Sequence, residues 1–273
     1  MSAFTAWTPD DARHSIAVPG QHDDKYSRGV LGVITGSDEF PGAAVLGVEA
    51  ALHTGVGMVR YLGPARVTRL VLERRPEVVP GGGRVQAWLI GSGISAQHRS
   101  AVTTARAREA LSDAVPVVLD SGCLDLLDAA TGPVVITPHY RELARVLAAD
   151  VDEIAGDPQG WAARAADRLG VTVLLKGHNS YIAAPDGTRL VVAGATAWLA
   201  TAGTGDALAG ILGALLATHT TQIGTDAAAL PHLAASAAVL HAVAAQAAGR
   251  GGPFTVLQLA GAVSGVIADW LAA

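Results

Sequence analysis

The sequence predicts an α/β protein with a mainly parallel sheet covered by helices on both faces, and three observations support this prediction. Short apolar runs of strand length alternate along the chain with longer segments of helical pattern. Many of the 32 glycines stand where an apolar run ends, as expected of strand-to-helix turns. The chain has 273 residues, of which 50% are hydrophobic and 16% charged, so it can bury a large core and is not intrinsically disordered.

Strands are predicted where a short run of apolar residues ends at a glycine or a polar residue. These runs occupy residues 30–34, 56–62, 85–90, 115–119, 134–136 and 171–175. Helices are predicted at about 41–53, 65–75, 96–112, 138–148, 161–169, 206–218, 226–248 and 255–271. Residues 179–184 and 189–192 flank the turn Pro185-Asp186-Gly187, which predicts a small β-hairpin near the C-terminal half.

The domain organisation follows from the continuity of this alternation. No polar linker or internal repeat interrupts residues 25–273, which are therefore predicted to form one domain. Residues 1–24 contain the breakers Pro9, Pro19 and Gly20 and are predicted to be irregular. This segment also lacks the basic start and apolar centre of a signal peptide.

Composition restricts the partners. The net charge of −5 and the absence of any Lys/Arg run predict no nucleic-acid partner, so a phosphate ligand would be held by local backbone N–H groups. The single cysteine, Cys123, excludes a disulfide within the chain and is predicted to be a buried hydrophobe rather than a nucleophile. The apolar stretch 227–248 is rich in alanine and contains Pro231 and His241, which is typical of a core helix. A cytoplasmic protein without a membrane partner is expected.

The segment 202–206, Ala-Gly-Thr-Gly-Asp, carries the strongest functional signal. Its glycines let successive N–H groups point into one concavity, and a helix that begins there adds the positive end of its dipole. Such a site can hold a phosphoryl group while Asp206 takes a proton from an attacking hydroxyl. The alternative is an ordinary helix cap by Thr204 or Asp206. The apolar helix that follows favours the functional interpretation, because a buried acidic residue needs a partner or a ligand.

Residues 176–180, Lys-Gly-His-Asn-Ser, directly follow a predicted strand. Ligands of open α/β sheets bind beyond the carboxyl ends of the strands. Lys176 can neutralise a phosphate there, and Asn179 and Ser180 offer hydrogen bonds to a nucleotide. A hairpin entry with a solvated lysine explains the segment equally well.

Residues 136–142 also begin at a strand end. Thr137 is predicted to be the helix N-cap and Pro138 to lie in the first turn. His139 would then lie near the same sheet edge, where it can hold a substrate amide or a phosphate. A purely structural histidine is the alternative.

Three glycine-containing segments, 36–37, 41–44 and 91–93, place small residues at strand ends. Small residues there let a flat ring approach the backbone closely, although each segment alone is equally typical of a tight turn. The sequence contains no H-x-x-x-H or C-x-x-C pattern, so no protein metal ligands are predicted.

The order of these segments resembles that in the bacterial ADP-dependent NAD(P)H-hydrate dehydratases of the ribokinase-like superfamily. The matching segments are residues 25–29, 36–37, 41–44, 55–57, 137–139, 175–177 and 202–206. The Gly-Thr-Gly-Asp run is typical of the superfamily, whereas Pro-Gly-Ala-Ala followed by Thr-Pro-His points to the dehydratases. The similarity covers about residues 25–270, nearly the whole chain.

The resemblance implies a ribokinase-like fold and a metabolite-repair reaction. In that reaction ADP drives dehydration of NADH hydrate and NADPH hydrate, and AMP and phosphate are released. The implied catalytic groups are the base Asp206 and the N–H groups of Gly203 and Gly205. The implied substrate contacts are Ala43, Gly93, His139 and Asp206, and the implied nucleotide contacts are Lys176, Gly177, His178, Asn179, Ser180 and Gly205. Mg²⁺ is implied as the cofactor that bridges the phosphates.

Two further expectations come from the resemblance. Members of the family often carry an N-terminal epimerase domain, for which this chain has no room, so it is expected to act on the S epimer. Members are often tetramers, and the alanine-rich helices agree with a homo-oligomer. The choice between ADP and ATP stays open from the residues alone; the family implies ADP.

The sequence departs from the family pattern in three places. Asp120-Ser121-Gly122 replaces Asp-Ala-Asp, residues 91–95 replace a Gly-Pro-Gly-Leu-Gly loop, and Tyr140-Arg141-Glu142 replaces Pro-Gly-Glu. Two other functions therefore stay open. The first is a vitamin or sugar-alcohol kinase of the same fold, whose product is a stable phosphate ester. The second is a nucleotide-binding module without turnover.

Overall fold

The computed structural model describes residues 3–226 and 228–273, in which ten strands form one sheet. In chain order they are β1 (Thr5–Ala6), β2 (Val30–Ile34), β3 (Met58–Tyr61), β4 (Val79–Pro80), β5 (Ala87–Ile90), β6 (Val117–Leu119), β7 (Val134–Ile136), β8 (Thr172–Leu175), β9 (Ser180–Ala183) and β10 (Arg189–Val192). The order across the sheet is β1-β10-β9-β8-β7-β6-β5-β2-β3-β4.

The sheet is mainly parallel, as predicted. Seven neighbouring strands all run in one direction; in sheet order they are β8, β7, β6, β5, β2, β3 and β4. The predicted hairpin is present: β9 and β10 pair antiparallel beyond β8, and β1 adds a parallel pairing to β10. Because both faces are covered, the central strands are apolar along their whole length rather than at alternate positions.

Helices cover both faces. In chain order they are α1 (Pro9–Ala12), α2 (Pro41–Thr54), α3 (Ala65–Arg74), α4 (Ala101–Leu111), α5 (Tyr140–Leu147), α6 (Val151–Gly156), α7 (Pro158–Leu169), α8 (Thr204–Thr218), α9 (Thr220–Thr225), α10 (Ala229–Gly249) and α11 (Val256–Ala272). Helices α2, α8, α10 and α11 share one hydrophobic core, and α4, α5 and α7 share the other. Within β2, Leu31 and Val33 point into the first core and Val30 and Ile34 into the second.

The N-terminal segment 1–24 is less irregular than the sequence predicts. Over residues 5–15 it forms β1, α1 and a short 3₁₀ turn, while residues 1–2 lie outside the described residues. The Trp7 ring stacks on His232 with centroids 4.7 Å apart, and its Nε1 donates to Ser236 Oγ at 2.9 Å. These contacts with α10 explain the order, because they involve partners more than 200 residues away that local sequence does not reveal.

Besides short 3₁₀ turns, one other strand and two other α-helices were not predicted: β4, α6 and α9. They contain two to six residues and therefore carry too little periodicity to be detected. The predicted helices 96–112 and 226–248 begin later than expected, at Ala101 and Ala229, and residue 227 lies outside the described residues.

Helix α10 is a core element. Among the described residues it is the one helix long and apolar enough by length and composition to cross a membrane, yet 83% of its most apolar window is buried in the fold. This agrees with the core helix predicted for the alanine-rich stretch.

Helices α2 and α8 cross with their backbones in contact. A Cβ atom added to Gly210 of α8 would lie 2.1 Å from the carbonyl oxygen of Gly47 of α2. A Cβ atom added to Gly47 would in turn lie 3.3 Å from the carbonyl oxygen of Asp206. The crossing therefore depends on the absence of side chains at both positions, and it sets the distance between α2 and the start of α8.

Candidate functional site

Polar residues follow four neighbouring parallel strands at the carboxyl edge of the sheet. Ser92 lies two residues after β5, and Asp120, Thr137 and Lys176 come directly after β6, β7 and β8. Ligands of open α/β sheets bind at this edge. The structure therefore brings these side chains, which are far apart in the chain, into one site.

Asp120 is the centre of this polar group and is 1% exposed. Its Oδ1 accepts from Thr137 Oγ1 at 2.7 Å and from Lys176 Nζ at 3.0 Å. Its Oδ2 accepts from Ser92 Oγ at 2.8 Å and from Ser121 Oγ at 3.3 Å. Although burial opposes ionisation, the Lys176 ammonium and these hydrogen bonds hold the Asp120 pKa below its usual range.

The start of α8 is open, as the glycine-rich segment predicts. Gly203 is the N-cap with φ of +94°, and no side chain caps the helix. The N–H groups of Thr204 and Ala207 have backbone acceptors, whereas within the described residues none is found for those of Gly203, Gly205 and Asp206. Unpaired N–H groups at a helix start favour an anion there. The alternative prediction, a cap by the side chain of Thr204 or Asp206, is wrong.

Asp206 lies in the first turn of α8 and has a raised pKa of about 6. Burial is the main cause, and the negative charges of Asp120 and Glu142 add to it, while the positive charge of Lys176 opposes it. A carboxylate with this pKa exchanges its proton near neutral pH, which is the property that a general base requires.

A cavity of about 460 Å³ opens beside the start of α8. Lys176, Gly177, His178, Ser180 and Gly205, all predicted to contact a nucleotide, are among its lining residues. Most of the remaining wall is apolar and comes from α10, β10, α8 and the segment before α8: Val192, Ala195, Ala197, Leu199, Ala200, Leu208, Ala238 and Ala242. An apolar wall with a polar end suits a planar base attached to phosphates. Asn179 does not line the cavity.

Lys176 is not a solvated lysine. Its side chain is 18% exposed and pairs with Asp120, and its backbone N–H donates to the Pro138 carbonyl at 2.8 Å. A Cβ atom on Gly205 would lie 3.5 Å from Lys176 Nζ, so the ammonium group lies beside the start of α8. The nearby charges of Asp120, Glu142 and Asp206 raise the Lys176 pKa although burial opposes this, and the lysine therefore stays charged.

His241 of α10 forms part of the cavity wall and was not predicted to be functional. Its Nε2 lies 2.9 Å from the Thr204 carbonyl oxygen, which can only accept, so Nε2 carries the hydrogen. Burial lowers the His241 pKa to about 4, so the ring is neutral at pH 7. The histidine thus links α10 to the first residue of α8 without adding a charge.

If the first cavity binds ADP, as the resemblance implies, replacing His241 with Leu should weaken that binding about tenfold, because the first turn of α8 loses a hydrogen bond from a buried neutral donor. His241→Gln, whose amide nitrogen can replace Nε2, is the matched control and should retain most of the affinity. Calorimetric titration with ADP checks both variants. Equal affinities for the Leu variant and the unmodified protein would contradict this role.

A second cavity, of about 610 Å³, lies on the other side of the site and is lined by Phe40, Gly93, Glu142 and Arg145 among others. Gly93 packs directly against Ala43, because a Cβ atom on Gly93 would lie 2.3 Å from the Ala43 methyl. The structure thus brings together these two predicted substrate residues. Asp206 itself lines neither cavity, but its neighbour Gly205 lines the first, and the charge of Glu142, which lines the second, raises the Asp206 pKa.

The prediction for residues 137–139 requires a correction. Thr137 is not the N-cap of α5, because its hydroxyl donates to Asp120, and Pro138 lies before the helix. His139 is the N-cap: its Nδ1 accepts from the backbone N–H groups of Arg141 and Glu142. Nδ1 is therefore unprotonated and Nε2 carries the hydrogen, on a side chain that is 51% exposed. His139 lies beside Lys176 through a parallel bridge but lines neither cavity.

The described residues contain no group of three His, Cys, Asp or Glu side chains arranged to hold a metal ion. Glu142 and Asp206 are nevertheless close enough for Glu142 to raise the Asp206 pKa. Mg²⁺ is commonly bound through one or two carboxylates together with substrate phosphates. The donor set therefore fits an ion that arrives with a nucleotide rather than one held by the protein alone.

Sequence reasoning missed Asp120, Glu142 and His241 as components of the site. A signal existed for Asp120, since it stands directly after a buried strand as Lys176 does. Glu142 is a helix-capping residue, whose carboxylate accepts from the His139 N–H at 2.8 Å. This local role explains its presence in the sequence, so its effect on Asp206 was not predicted. His241 lies in an alanine-rich helix without any local motif.

This topology, with an open acidic helix start beyond the strand ends, defines a ribokinase-like α/β protein. A family model described as NAD(P)H-hydrate dehydratase matches residues 31–258. The chain belongs to the NAD(P)H-hydrate dehydratase family.

Similar proteins agree with this assignment. The bifunctional NAD(P)H-hydrate repair enzyme Nnr of Mycobacterium tuberculosis is 42% identical over 212 residues, which are 73% of this chain and 43% of that enzyme. The chain thus spans less than half the length of this curated relative. The ADP-dependent (S)-NAD(P)H-hydrate dehydratase of Neisseria meningitidis is 33% identical over 222 residues, which are 75% of this chain and 74% of that protein.

A solved structure has the same fold. The ADP/ATP-dependent NAD(P)H-hydrate dehydratase of Bacillus subtilis, co-crystallised with ATP/Mg²⁺, superposes with a TM-score of 0.86. The superposition covers 98% of this chain and 99% of that one at 24% sequence identity. At this identity the likeness establishes the fold, which confirms the ribokinase-like architecture.

Proposed function

We propose that the protein is a hydro-lyase that uses ADP to dehydrate (6S)-NADH hydrate and (6S)-NADPH hydrate, releasing AMP and phosphate. The observation that carries the proposal is Asp206, a carboxylate with a pKa of about 6 in the open first turn of α8, whose residues Thr204 and Gly205 line the first cavity. The relative from Neisseria meningitidis, named for this reaction, supports the choice of substrate and donor.

ADP occupies the first cavity in this proposal. Its base lies against the apolar wall, and its terminal phosphoryl group accepts hydrogen bonds from the N–H groups of Gly203 and Gly205. The Lys176 ammonium, beside Gly205, neutralises charge on the same phosphoryl group. Gly177, His178, Asn179 and Ser180 continue the nucleotide side of the site. Glu142 and Asp206 would hold Mg²⁺ together with the nucleotide, and the ion would supply further charge neutralisation.

The hydrated nicotinamide ring lies on the other side of Asp206. The close contact between Ala43 and Gly93 provides a wall with no side chain larger than a methyl, against which a ring can pack. The exposed Nε2–H of His139 donates to the carboxamide oxygen of the substrate. This arrangement places the ring hydroxyl between Asp206 and the phosphoryl group.

The reaction then proceeds in two steps. Asp206 removes the proton of the ring hydroxyl, whose oxygen attacks the terminal phosphorus of ADP; the bond to the bridging oxygen breaks and AMP leaves. The ring carbon–oxygen bond then breaks, the oxygen departs with phosphate, and the adjacent ring carbon loses a proton to restore the double bond. The sum is removal of water from the hydrate and hydrolysis of ADP to AMP and phosphate.

A small-molecule kinase of the same fold is the second candidate. The open start of α8 and Asp206 would perform the same phosphoryl transfer to a vitamin or sugar alcohol. The product would then be a stable phosphate ester, and no free phosphate would appear.

Absorbance at 340 nm tests the proposal. Purified protein is mixed with (6S)-NADH hydrate and Mg²⁺, with ADP, ATP or no nucleotide in parallel, and phosphate is measured in the same samples. We expect absorbance to rise only with a nucleotide, with one phosphate released per NADH formed. A flat trace with both nucleotides would eliminate the dehydratase and lead to a panel of vitamin and sugar alcohols.

The pH dependence of kcat/KM is expected to have an acidic limb near pH 6. The base Asp206 must be ionised, and burial raises its pKa to about 6, so activity falls as pH drops through this value. His241, with a pKa of about 4, stays neutral over this range and does not contribute. An acidic limb at pH 4, where an unperturbed aspartate titrates, would contradict the assignment of Asp206.

A cytoplasmic location and a homo-tetramer complete the proposal. The oligomer is checked by light scattering of the purified protein, for which four times the chain mass of 27.6 kDa is expected.

A further inference from the structure

The pairing of Asp120 with Lys176 lies at the proposed site but has no part in the reaction as written above. Asp120 accepts four side-chain hydrogen bonds, from Ser92, Ser121, Thr137 and Lys176, although it is 1% exposed. A buried ion pair of this kind is poor support for stability, because desolvation offsets most of the attraction. Stability alone therefore does not explain why a buried carboxylate with four hydrogen bonds lies at the strand ends, and we look for a functional role.

The Lys176 ammonium has donors to spare. It carries three N–H groups, and among the described residues its one hydrogen bond runs to Asp120 Oδ1 at 3.0 Å. The ammonium lies on the wall of the first cavity and beside Gly205. Its remaining N–H groups are thus available to an anion at the start of α8.

We propose that Asp120 is a positioning residue: it holds the Lys176 ammonium beside Gly205, against the phosphoryl group of the nucleotide that is transferred. This inference rests on the proposed function and deepens it. Thr137 and Ser92 fix the carboxylate from the neighbouring strands, so the direction in which Lys176 approaches is set by β5, β6, β7 and β8 together. Asp120 itself is 1% exposed and lines neither cavity, so it acts through Lys176 in this proposal.

The position of Lys176 provides a readout that a purely structural role lacks. The ammonium lies beside Gly205 at the start of α8, where the terminal phosphoryl group of ADP is proposed to bind. Loss of this position should weaken binding of ADP but not of AMP, whereas misfolding would weaken both.

The test is a double-mutant cycle of Asp120→Asn and Lys176→Met, measured as kcat for NADH hydrate with ADP. We expect kcat to fall on the order of 10–100-fold in Asp120→Asn, because the ammonium is no longer held in place. If Asp120 acts through Lys176, the double variant should be no slower than Lys176→Met alone. The double variant also replaces a buried ion pair by neutral groups, so it remains measurable if the single Asp120 variant folds poorly.

Asp113→Asn is the matched control. Asp113 accepts a hydrogen bond from Trp88 Nε1 at 2.9 Å but precedes β6, at the opposite end of that strand from Asp120. Its replacement should leave kcat and the ADP affinity unchanged. Unaltered kcat and ADP affinity in Asp120→Asn would overturn the inference, and so would a double variant slower than Lys176→Met by the full factor of the Asp120 substitution.

Measurements of nucleotide binding distinguish a failure of this inference from a failure of the proposed function. Calorimetry with ADP and AMP should show ADP affinity lowered about tenfold or more in Asp120→Asn, with AMP affinity unchanged, since AMP lacks the transferred phosphoryl group. If the unmodified protein does not turn over any hydrate, the proposed function fails, yet this difference would still support the positioning role. Equal loss of ADP and AMP affinity would contradict it.

Discussion

Replacing Asp206 with Asn is expected to lower kcat by about 10³-fold, within the roughly 10²–10⁴-fold range that a positioned general base contributes. The amide cannot accept the proton of the ring hydroxyl, whereas the N–H groups at the start of α8 and the first cavity are unchanged. ADP affinity should therefore stay close to that of the unmodified protein. The 340 nm assay and calorimetry with ADP measure the two quantities on the same samples.

The same substitution is expected to stabilise the fold. Because the Asp206 pKa rises from 3.8 to about 6, the folded state binds its proton more tightly than the unfolded state does. The stability that this proton provides is present below about pH 4 and is lost as pH rises through 6. At pH 7.5 the ionised carboxylate thus costs on the order of 1–3 kcal/mol, which the Asn variant avoids.

Urea denaturation at pH 7.5 and pH 4 tests this linkage, with Asp113→Asn as the control at both pH values. We expect the Asp206 variant to be more stable than the unmodified protein at pH 7.5 and equally stable at pH 4. A variant that is inactive but less stable at pH 7.5 would show that Asp206 supports the structure, and the catalytic assignment would lose its main physical argument.

The fold could be predicted largely from the sequence because its elements are long and locally marked. Strand β2 and helices α2 and α3 begin and end within one residue of the predicted bounds, since glycine, proline and apolar runs mark their ends. The N-terminal segment could not be predicted in the same way. Trp7 stacks on His232 and donates a hydrogen bond to Ser236, and the residues near Trp7 in the sequence do not predict these contacts with a distant helix.

The site also contains some features that local sequence predicts and others that depend on tertiary structure. The open start of α8 follows from Gly203 and Gly205, whose backbone properties can be read from the sequence. The Asp120–Lys176 pair depends on β6 and β8 lying on either side of β7, which is a property of the sheet order. The N-cap of α5 differs from its prediction for a tertiary reason. Capping preferences favour Thr137, but its hydroxyl donates to Asp120, and His139 caps the helix instead.

Replacing Gly210 with Ala is expected to lower the free energy of unfolding by about 2 kcal/mol or more. The added methyl would lie 2.1 Å from the Gly47 carbonyl oxygen, so α2 and α8 must separate. Overpacking of this kind costs about 1–3 kcal/mol and sometimes more, whereas the better helix propensity of Ala returns about 1 kcal/mol. Since the obstacle is backbone rather than a flexible side chain, we expect a loss at the upper end of this range.

Two other Gly→Ala substitutions make the comparison quantitative. Gly47→Ala places its methyl 3.3 Å from the Asp206 carbonyl oxygen, a milder conflict that should give a smaller loss. Gly261 of α11 is exposed and has no atom within 4 Å of an added Cβ, so Gly261→Ala should gain about 0.5–1 kcal/mol from helix propensity alone. The expected order of stability is Gly261→Ala, the unmodified protein, Gly47→Ala and Gly210→Ala.

The crossing should also affect catalysis, because it fixes the start of α8. If α2 and α8 separate in Gly210→Ala, Asp206 of α8 moves relative to Ala43 of α2 and to Gly93, which packs against Ala43. A displacement of about 1 Å can cost on the order of 100-fold in rate, so kcat should fall even well below the melting temperature. Reduced stability with normal kcat would mean that the crossing supports the fold without positioning the base; normal stability would mean that the helices accommodate the methyl without separating.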